Sequence, residues 1–321
     1  MGRYVLRRLA GAVPLVLGIA TIIFVLINVA PGSPIDVIAP QGMSSEGRQQ
    51  LIRNFGLDQP LHIRYVRWLT AMFTGDFGYS FSYSKDVRAV LFDFFPNTLL
   101  LSAAALSISF LFGIVLGTIQ AVRQYSALDS GLSVALLFFY SMPSFWLALM
   151  LVLIFALGLG WFPVSGLASS GAEFLPPLER FIDRLQHLAL PALSLALVLT
   201  AGIARYMRGS MLEVVRQDYV RTAHAKGLPA SRVLLTHALR NALTPILTIL
   251  GLQFGTLLAG AIVTETIFAW PGLGQLTVNA IAARDYPLAQ GCVLGIGIGY
   301  TVVNTTTDLL YTLIDPRVRQ E

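Results

Sequence analysis

A single cysteine, Cys292, stands among 321 residues. It leaves no partner for an intramolecular disulfide and no Cys-x-x-Cys pair for a metal or redox centre. Charge is scarce as well: 12% of the residues are Asp, Glu, Lys or Arg, against about a quarter in a soluble domain. The four histidines, His62, His187, His224 and His237, lie far apart, and none is paired with another at ligand spacing. No Gly-x4-Gly-Lys-Ser/Thr phosphate loop, His-Glu-x-x-His zinc helix or Gly-x-Ser-x-Gly elbow occurs. No catalytic group, metal site or cofactor site is therefore expected, and any energy the chain uses must enter from elsewhere. An internal repeat is missing too, which counts against the many carriers built from paired repeats.

What the chain has instead is apolar length, with 55% hydrophobic residues and a mean hydropathy of +0.69. A helix crossing a bilayer needs about 20 apolar residues, and six stretches qualify: Leu9–Ala30, Thr98–Ala121, Ser133–Leu157, Leu188–Ala204, Leu243–Phe268 and Leu288–Ile314. The expected fold is an all-α integral membrane protein of six spans, forming one domain over 1–321. Arg7 and Arg8 precede the first stretch as they would in a signal peptide. Its apolar region is longer than the roughly 7–15 residues of a signal h-region, so a retained helix is expected.

Basic residues set the orientation. With six spans, the N-terminus, residues 122–132, residues 205–241 and the C-terminus share one side and hold 13 of the 22 Lys/Arg. The two short segments opposite hold Arg180, Arg184 and Arg284. Both termini are expected on the cytoplasmic side. The net charge of +5 is thus explained by topology, and no nucleic-acid partner is expected.

Residues 31–97 are too long for a plain connection and should fold on the outer membrane surface. Ser44–Trp68 has a helical pattern, and Gly56, Pro60 and Gly75-Asp76-Phe77-Gly78 punctuate the segment. Residues 158–187 read as irregular surface. Trp270 suits a bilayer interface, where aromatic residues anchor. Several polar or helix-bending residues fall at or near membrane depth and are candidates for a pathway or gate. Pro143, after Met142, removes a helix hydrogen bond and should kink the third span. Asn304 and Asp308 interrupt the sixth span, and an ionisable group there is a functional candidate. Glu265 is expected at a helix end, in contact with water.

One polar segment stands out. Arg205–Asn241 carries seven Lys/Arg and two acids, Glu213 and Asp218. Ser210–Gly227 reads as one helix, with Met211, Val214, Val215 and Tyr219 on a face. Leu228-Pro229-Ala230-Ser231 breaks it, and Arg232–Asn241 restarts it. Ala223, Ala225 and Gly227 are small enough for another backbone to approach, while Arg221, Lys226 and Arg232 could pair with acids. Docking of a short helix into a partner's groove and anchoring to lipid headgroups both fit this pattern.

The residues Tyr219-Val-Arg-Thr-Ala-His-Ala-Lys-Gly-Leu228, followed by His237-Ala-Leu-Arg-Asn-Ala242, resemble the cytoplasmic loop of membrane subunits of ABC importers. The dipeptide/oligopeptide/nickel permease branch is most similar. The resemblance runs through Arg7-Arg8-Leu9, Pro14, Pro31-Gly32-Ser33-Pro34, Gly56-Leu57-Asp58-Gln59-Pro60 and Gly75-Asp76-Phe77-Gly78. It continues through Thr264–Gly274 and Arg284-Asp285-Tyr286-Pro287, and closes with Asp308-Leu-Leu-Tyr311 and Asp315-Pro316-Arg317-Val318-Arg319. One departure stands at Arg221-Thr222-Ala223, where the general importer loop has Glu-Ala-Ala. The Ile-x-Leu-Pro element is likewise replaced by His237-Ala238-Leu239-Arg240, so a salt bridge from that glutamate is not carried over.

The resemblance implies a type I importer fold in a bacterial cytoplasmic (inner) membrane. The chain would be half of a translocation pathway for dipeptides or oligopeptides, completed by a second, similar permease. One or two ATPase subunits, which bind ATP and Mg, would dock at Tyr219, Arg221, Thr222, Ala223, Ala225, Lys226, Gly227 and Leu228. An extracytoplasmic peptide-binding protein would deliver the substrate. Import of nickel or glutathione by the same architecture is the alternative within the family. A self-sufficient channel or secondary carrier and a non-transporting membrane scaffold are the alternatives outside it.

Overall fold

The computed structural model describes residues 2–29, 35, 39, 43–54 and 56–314, with the side chains of 2–9, 54, 259–260 and 308–314 left aside. The backbone contacts divide into two compact units, Met1–Thr98 with Pro271–Val302, and Leu99–Trp270 with Val303–Glu321. Among the described residues, five helices are long and apolar enough to cross a membrane, or six if one bent pair is a single span.

The first unit opens with α1 (Gly2–Val29). The segment after it folds as expected into helices, α2 (Ser45–Asn54) and α3 (Leu61–Phe73). Helix α3 lays Tyr65 and Trp68 against Phe24 of α1, with ring centroids 5.2 and 5.5 Å away. Gly75 and Gly78 both take positive φ, 80° and 84°, and turn the chain into a short hairpin, β1 (Tyr79–Ser80) and β2 (Lys85–Asp86). Asp285, 1% exposed, anchors that hairpin by accepting hydrogen bonds from the Ser80 hydroxyl at 2.7 Å and the Ser82 amide at 2.9 Å. The helix α12 (Leu273–Ala282) and the part of α13 (Tyr286–Ile314) up to Val302 complete the unit, and the rest of α13 belongs to the second. Leu273, Leu276, Leu288 and Cys292 form a core with Val87 and Val90 at the start of α4 (Val87–Val122).

The second unit holds the rest of α4, then α5 (Ala127–Ser141) and α6 (Ser144–Leu151), which continues as a wide π turn over Val152–Gly158. Next come α7 (Pro177–Val215) and α8 (Asp218–Ala225). The short helix α9 (Ala230–Arg232) leads through a π turn, Val233–Leu239, into α10 (Arg240–Gly260) and then α11 (Ile262–Ile267). Helix α4 packs closely on α7 because two glycines a turn apart, Gly113 and Gly117, face it. A Cβ on Gly113 would lie 2.6 Å from Ile203 Cγ2, and one on Gly117 would lie 2.5 Å from the Ala204 carbonyl oxygen. Small residues at this spacing let helices in lipid meet backbone to backbone, which supplies the dispersion contacts that hold them.

Four expectations are corrected. The third span is broken, not merely kinked: α5 and α6 meet at 102°. Met142 is extended, with φ −78° and ψ 136°, as the residue before a proline prefers, and α6 restarts behind Pro143. The stretch 158–187 is irregular only as far as Pro176, since Pro177, at the first helical position, opens α7. Trp270 is fully buried among Leu101, Leu188, Ala192 and Ala261, so it is a core residue and not an interface anchor. Glu265 is likewise 0% exposed on the short α11 and does not reach water.

Candidate functional site

The basic segment folds differently from the single helix expected over Ser210–Gly227. Helix α7 ends at Val215, Gln217 takes extended backbone with ψ 147°, and α8 starts afresh at Asp218. The break resets the helical phase. Met211 is buried and Val214 half-buried, while Val215 and Tyr219 are each 43% exposed.

Two side chains hold α8 down. Val220 and Ala223, three residues apart on one face, are buried against Val233, with Val214 and Leu228 packed around them. The Asn241 amide donates to the Tyr219 hydroxyl at 3.0 Å and to the His237 carbonyl at 2.8 Å. One turn before the end of α7, the Ser210 hydroxyl donates to the Ala242 carbonyl at 2.9 Å. Helix α8 is therefore tied to both long helices that flank it.

The opposite face of α8 is open. Arg221, Thr222, His224, Ala225 and Lys226 are exposed. Arg221 lies 3.6 Å from Asp218, with the two side chains 74% and 97% exposed, and such surface pairs are worth about 0–1 kcal/mol. The guanidinium thus remains available to another acid. Gly227 turns the chain with φ +74° and has nothing within 4 Å of where a Cβ would stand. From Arg216 to Arg232, four cations face one acid, Asp218. This is a short, positively charged helix with a rigid underside and an unobstructed outer face.

The residues expected at this site do not all share that face. Tyr219, Arg221, Thr222, Ala225, Lys226 and Gly227 reach the surface, and Leu228 is half-buried. Ala223 is 6% exposed, so its small size serves packing on Val233 and not the approach of another backbone. Val220, not anticipated, is its partner. The spacing of Val220, Ala223 and Gly227 signals it, once the helix is phased from Asp218.

A second feature was missed. Arg208, which belongs to α7 and not to a loop, donates to Asp129 of α5 from Nε at 3.1 Å and Nη2 at 2.8 Å. Asp129, 4% exposed, also accepts from the Tyr125 amide at 3.0 Å, where Tyr125 takes φ +64°. Gln120 of α4 lies 3.4 Å from the same carboxylate and donates to the Ser133 hydroxyl at 2.8 Å. An acid beside an apolar stretch is the signal that marks Asp129. The fork-on-carboxylate geometry is the strong form of such a pair.

The pathway candidates are dispersed. Met142 and Pro143 form the break between α5 and α6. Glu265 lies on α11, which packs on α6. Asn304, on α13, has a buried Oδ1 with no hydrogen-bond partner among the described residues. The side chain of Asp308 lies outside the described residues.

A short charged helix, held between two helices long and apolar enough to cross a membrane, is what the basic segment becomes. The family model for the inner membrane component of binding-protein-dependent transport systems matches residues 113–320, and the model for the N-terminal part of such components matches residues 1–102. The chain belongs to this family: it is a membrane permease component of an ABC transport system and not an enzyme. It is 38% identical over 319 residues to the oligopeptide transport system permease protein AppB of Bacillus subtilis (strain 168), covering 99% of each chain. The di/tripeptide transport system permease protein DppB of Pseudomonas aeruginosa (strain UCBPP-PA14) is 40% identical over 332 residues, again covering 99% of each. A putative peptide transport system permease protein of Brucella abortus (strain 2308) is 41% identical over the full length of both. Among solved structures, an amino acid ABC transporter with histidines matches with a TM-score of 0.50, at 16% identity, over 71% of this chain and 94% of that one. That match concerns the fold alone.

Proposed function

We propose that this chain imports dipeptides or oligopeptides across a bacterial inner membrane, as one half of a pathway completed by a second permease. Both termini and α8 face the cytoplasm. ATPase subunits, which hold the ATP and Mg, dock on the exposed face of α8, and an extracytoplasmic peptide-binding protein delivers the substrate from the other side. The observation that carries the docking assignment is the two-faced α8. Its underside is fixed to Val233, its outer face is basic and open, and the chain has no phosphate-binding loop of its own.

The geometry supplies a way to transmit force. Closure of the ATPase pair displaces α8, and Tyr219 and Asn241 carry that displacement to the start of α10. The end of α7 moves with it through the Ser210 to Ala242 hydrogen bond, and Arg208 passes the shift on to α5. The break at Met142–Pro143 lets α5 and α6 respond separately. Peptide selection along this route belongs to the binding protein and the paired permeases, with Asn304, Asp308 and Glu265 as the polar candidates in this half.

Affinity purification of the tagged chain in mild detergent tests the assignment. Recovery of a second six-span permease and one or two ATPases is the expected outcome. A chain that purifies alone and moves peptide in liposomes without ATP overturns it.

A further inference from the structure

A cleft of about 250 Å³ opens among α4, α5 and α7, lined by Gln120, Ser133, Leu136, Leu137, Arg205 and Arg208. The two arginines in it are not equivalent. Arg208 is neutralised by the paired oxygens of Asp129. Arg205 has no acidic partner within 4 Å among the described residues, and its guanidinium lies 5.0 Å from the centroid of the Tyr140 ring. A cation is attracted to an aromatic face, and among the described residues the five N–H donors of this guanidinium remain unspent.

The position of Arg205 says what could use those donors. It is the first charged residue after an uncharged run, Leu188–Ala204, whose length at about 1.5 Å per residue approaches the thickness of a bilayer core. Arg205 therefore sits at the level where hydrocarbon gives way to headgroups. Beside it α5 exposes Val134, Leu137 and Phe138, at 70%, 55% and 57%. The cleft thus offers one unneutralised cation, polar side chains from Gln120 and Ser133, and an apolar wall from Leu136 and Leu137. Basic pockets between membrane helices at this level suit anionic headgroups.

We propose that this cleft is a binding site for an anionic phospholipid, with the phosphodiester held by Arg205 over Tyr140 and an acyl chain along Leu136 and Leu137. The apolar wall is what selects a lipid over a free phosphate. The lipid would fill the junction where α5 meets α7, beside the Asp129–Arg208 pair.

Native mass spectrometry of the full chain, released from nanodiscs of phosphatidylglycerol or phosphatidylcholine, tests this. The wild type should keep phosphatidylglycerol and shed phosphatidylcholine. Arg205→Gln should reduce retained phosphatidylglycerol about tenfold, the loss of one charge-assisted contact, and Arg205→Lys less. Leu137→Trp should also displace the lipid by filling the cleft while leaving every charge in place. Arg123→Gln, an exposed cation outside the cleft, serves as the control for bulk charge and should keep the lipid. Equal retention in Arg205→Gln and Leu137→Trp, or equal loss in Arg123→Gln, overturns the proposal. So does displacement of the lipid by millimolar inorganic phosphate, which would make it an ion site. A Leu137→Cys variant that crosslinks to a protein subunit in the intact assembly would also overturn it, by assigning the cleft to that subunit. None of these readouts depends on peptide transport, so the transport assignment stands or falls separately.

Discussion

At the scale of single residues, Gly227 separates two kinds of requirement. Its φ of +74° favours glycine, while the space beyond its Cα is empty. Gly227→Ala should therefore cost about 1 kcal/mol of local backbone strain without disturbing the packing of Val220 and Ala223. The expected result is a chain that inserts and assembles normally, yet whose ATPase partner responds less to substrate. Comparing ATP hydrolysed per peptide imported in reconstituted assemblies measures this, and an unchanged ratio removes Gly227 from the coupling device. Asp129 makes a different case, since it answers to a residue 79 positions away. Asp129→Asn should lower the thermal stability of the detergent-solubilised chain, because Arg208 is then left in a part-buried position without its counter-charge. The double exchange Asp129→Arg with Arg208→Asp should recover part of the loss. If the double variant is no more stable than the single one, the pair has no net role.

At the scale of elements, the close approach of α4 and α7 is the contact most sensitive to one atom. Beyond Gly117 lie the Ala204 carbonyl oxygen at 2.5 Å and the Arg208 amide at 3.1 Å, both backbone and unable to rotate away. Gly117→Val should push the helices apart at an overpacking cost of about 1–3 kcal/mol, and loosen the Arg208–Asp129 contact with it. A lower melting temperature, with a shortened half-life in detergent, is the expected measurement. On α13, Asn304 holds a buried oxygen without a partner among the described residues, and an apolar replacement removes a desolvated group. Asn304→Leu should leave stability unchanged or raised, while import slows if Asn304 lines the pathway. Full transport by this variant would reassign Asn304 to packing.

For the whole molecule, removal of Ala223–Leu228 should leave the membrane helices in place but abolish recovery of ATPase subunits in a pull-down. Retained ATPase would move the docking surface elsewhere. Much of the architecture was legible beforehand, because partition into lipid is decided locally, by composition over some twenty residues. The spans over 98–121 and 288–314 fall within the observed helices α4 and α13, and residues 9–29 of the first fall within α1, residue 30 lying outside the described residues. Phase and partners were less legible. Reading one helix through Arg216 and Gln217 put Val215 and Tyr219 on the wrong face, since no proline or glycine marks that break. Ala223 looked like a contact because it is small, and only the position of Val233 shows that it is an underside.

The sequence by itself determined a membrane permease of this family: its apolar runs, its basic segment and its ordered motifs each depend on neighbours within one helix or one loop. Tertiary structure alone decided the rest. It turned the third span through 102° at Pro143, buried Glu265 and Trp270, and joined Asp129 to Arg208 while leaving Arg205 without an acid among the described residues. These outcomes depend on which helices touch, and helix–helix contact in lipid is set by shape and polar pairing between distant residues, which no local window of sequence contains.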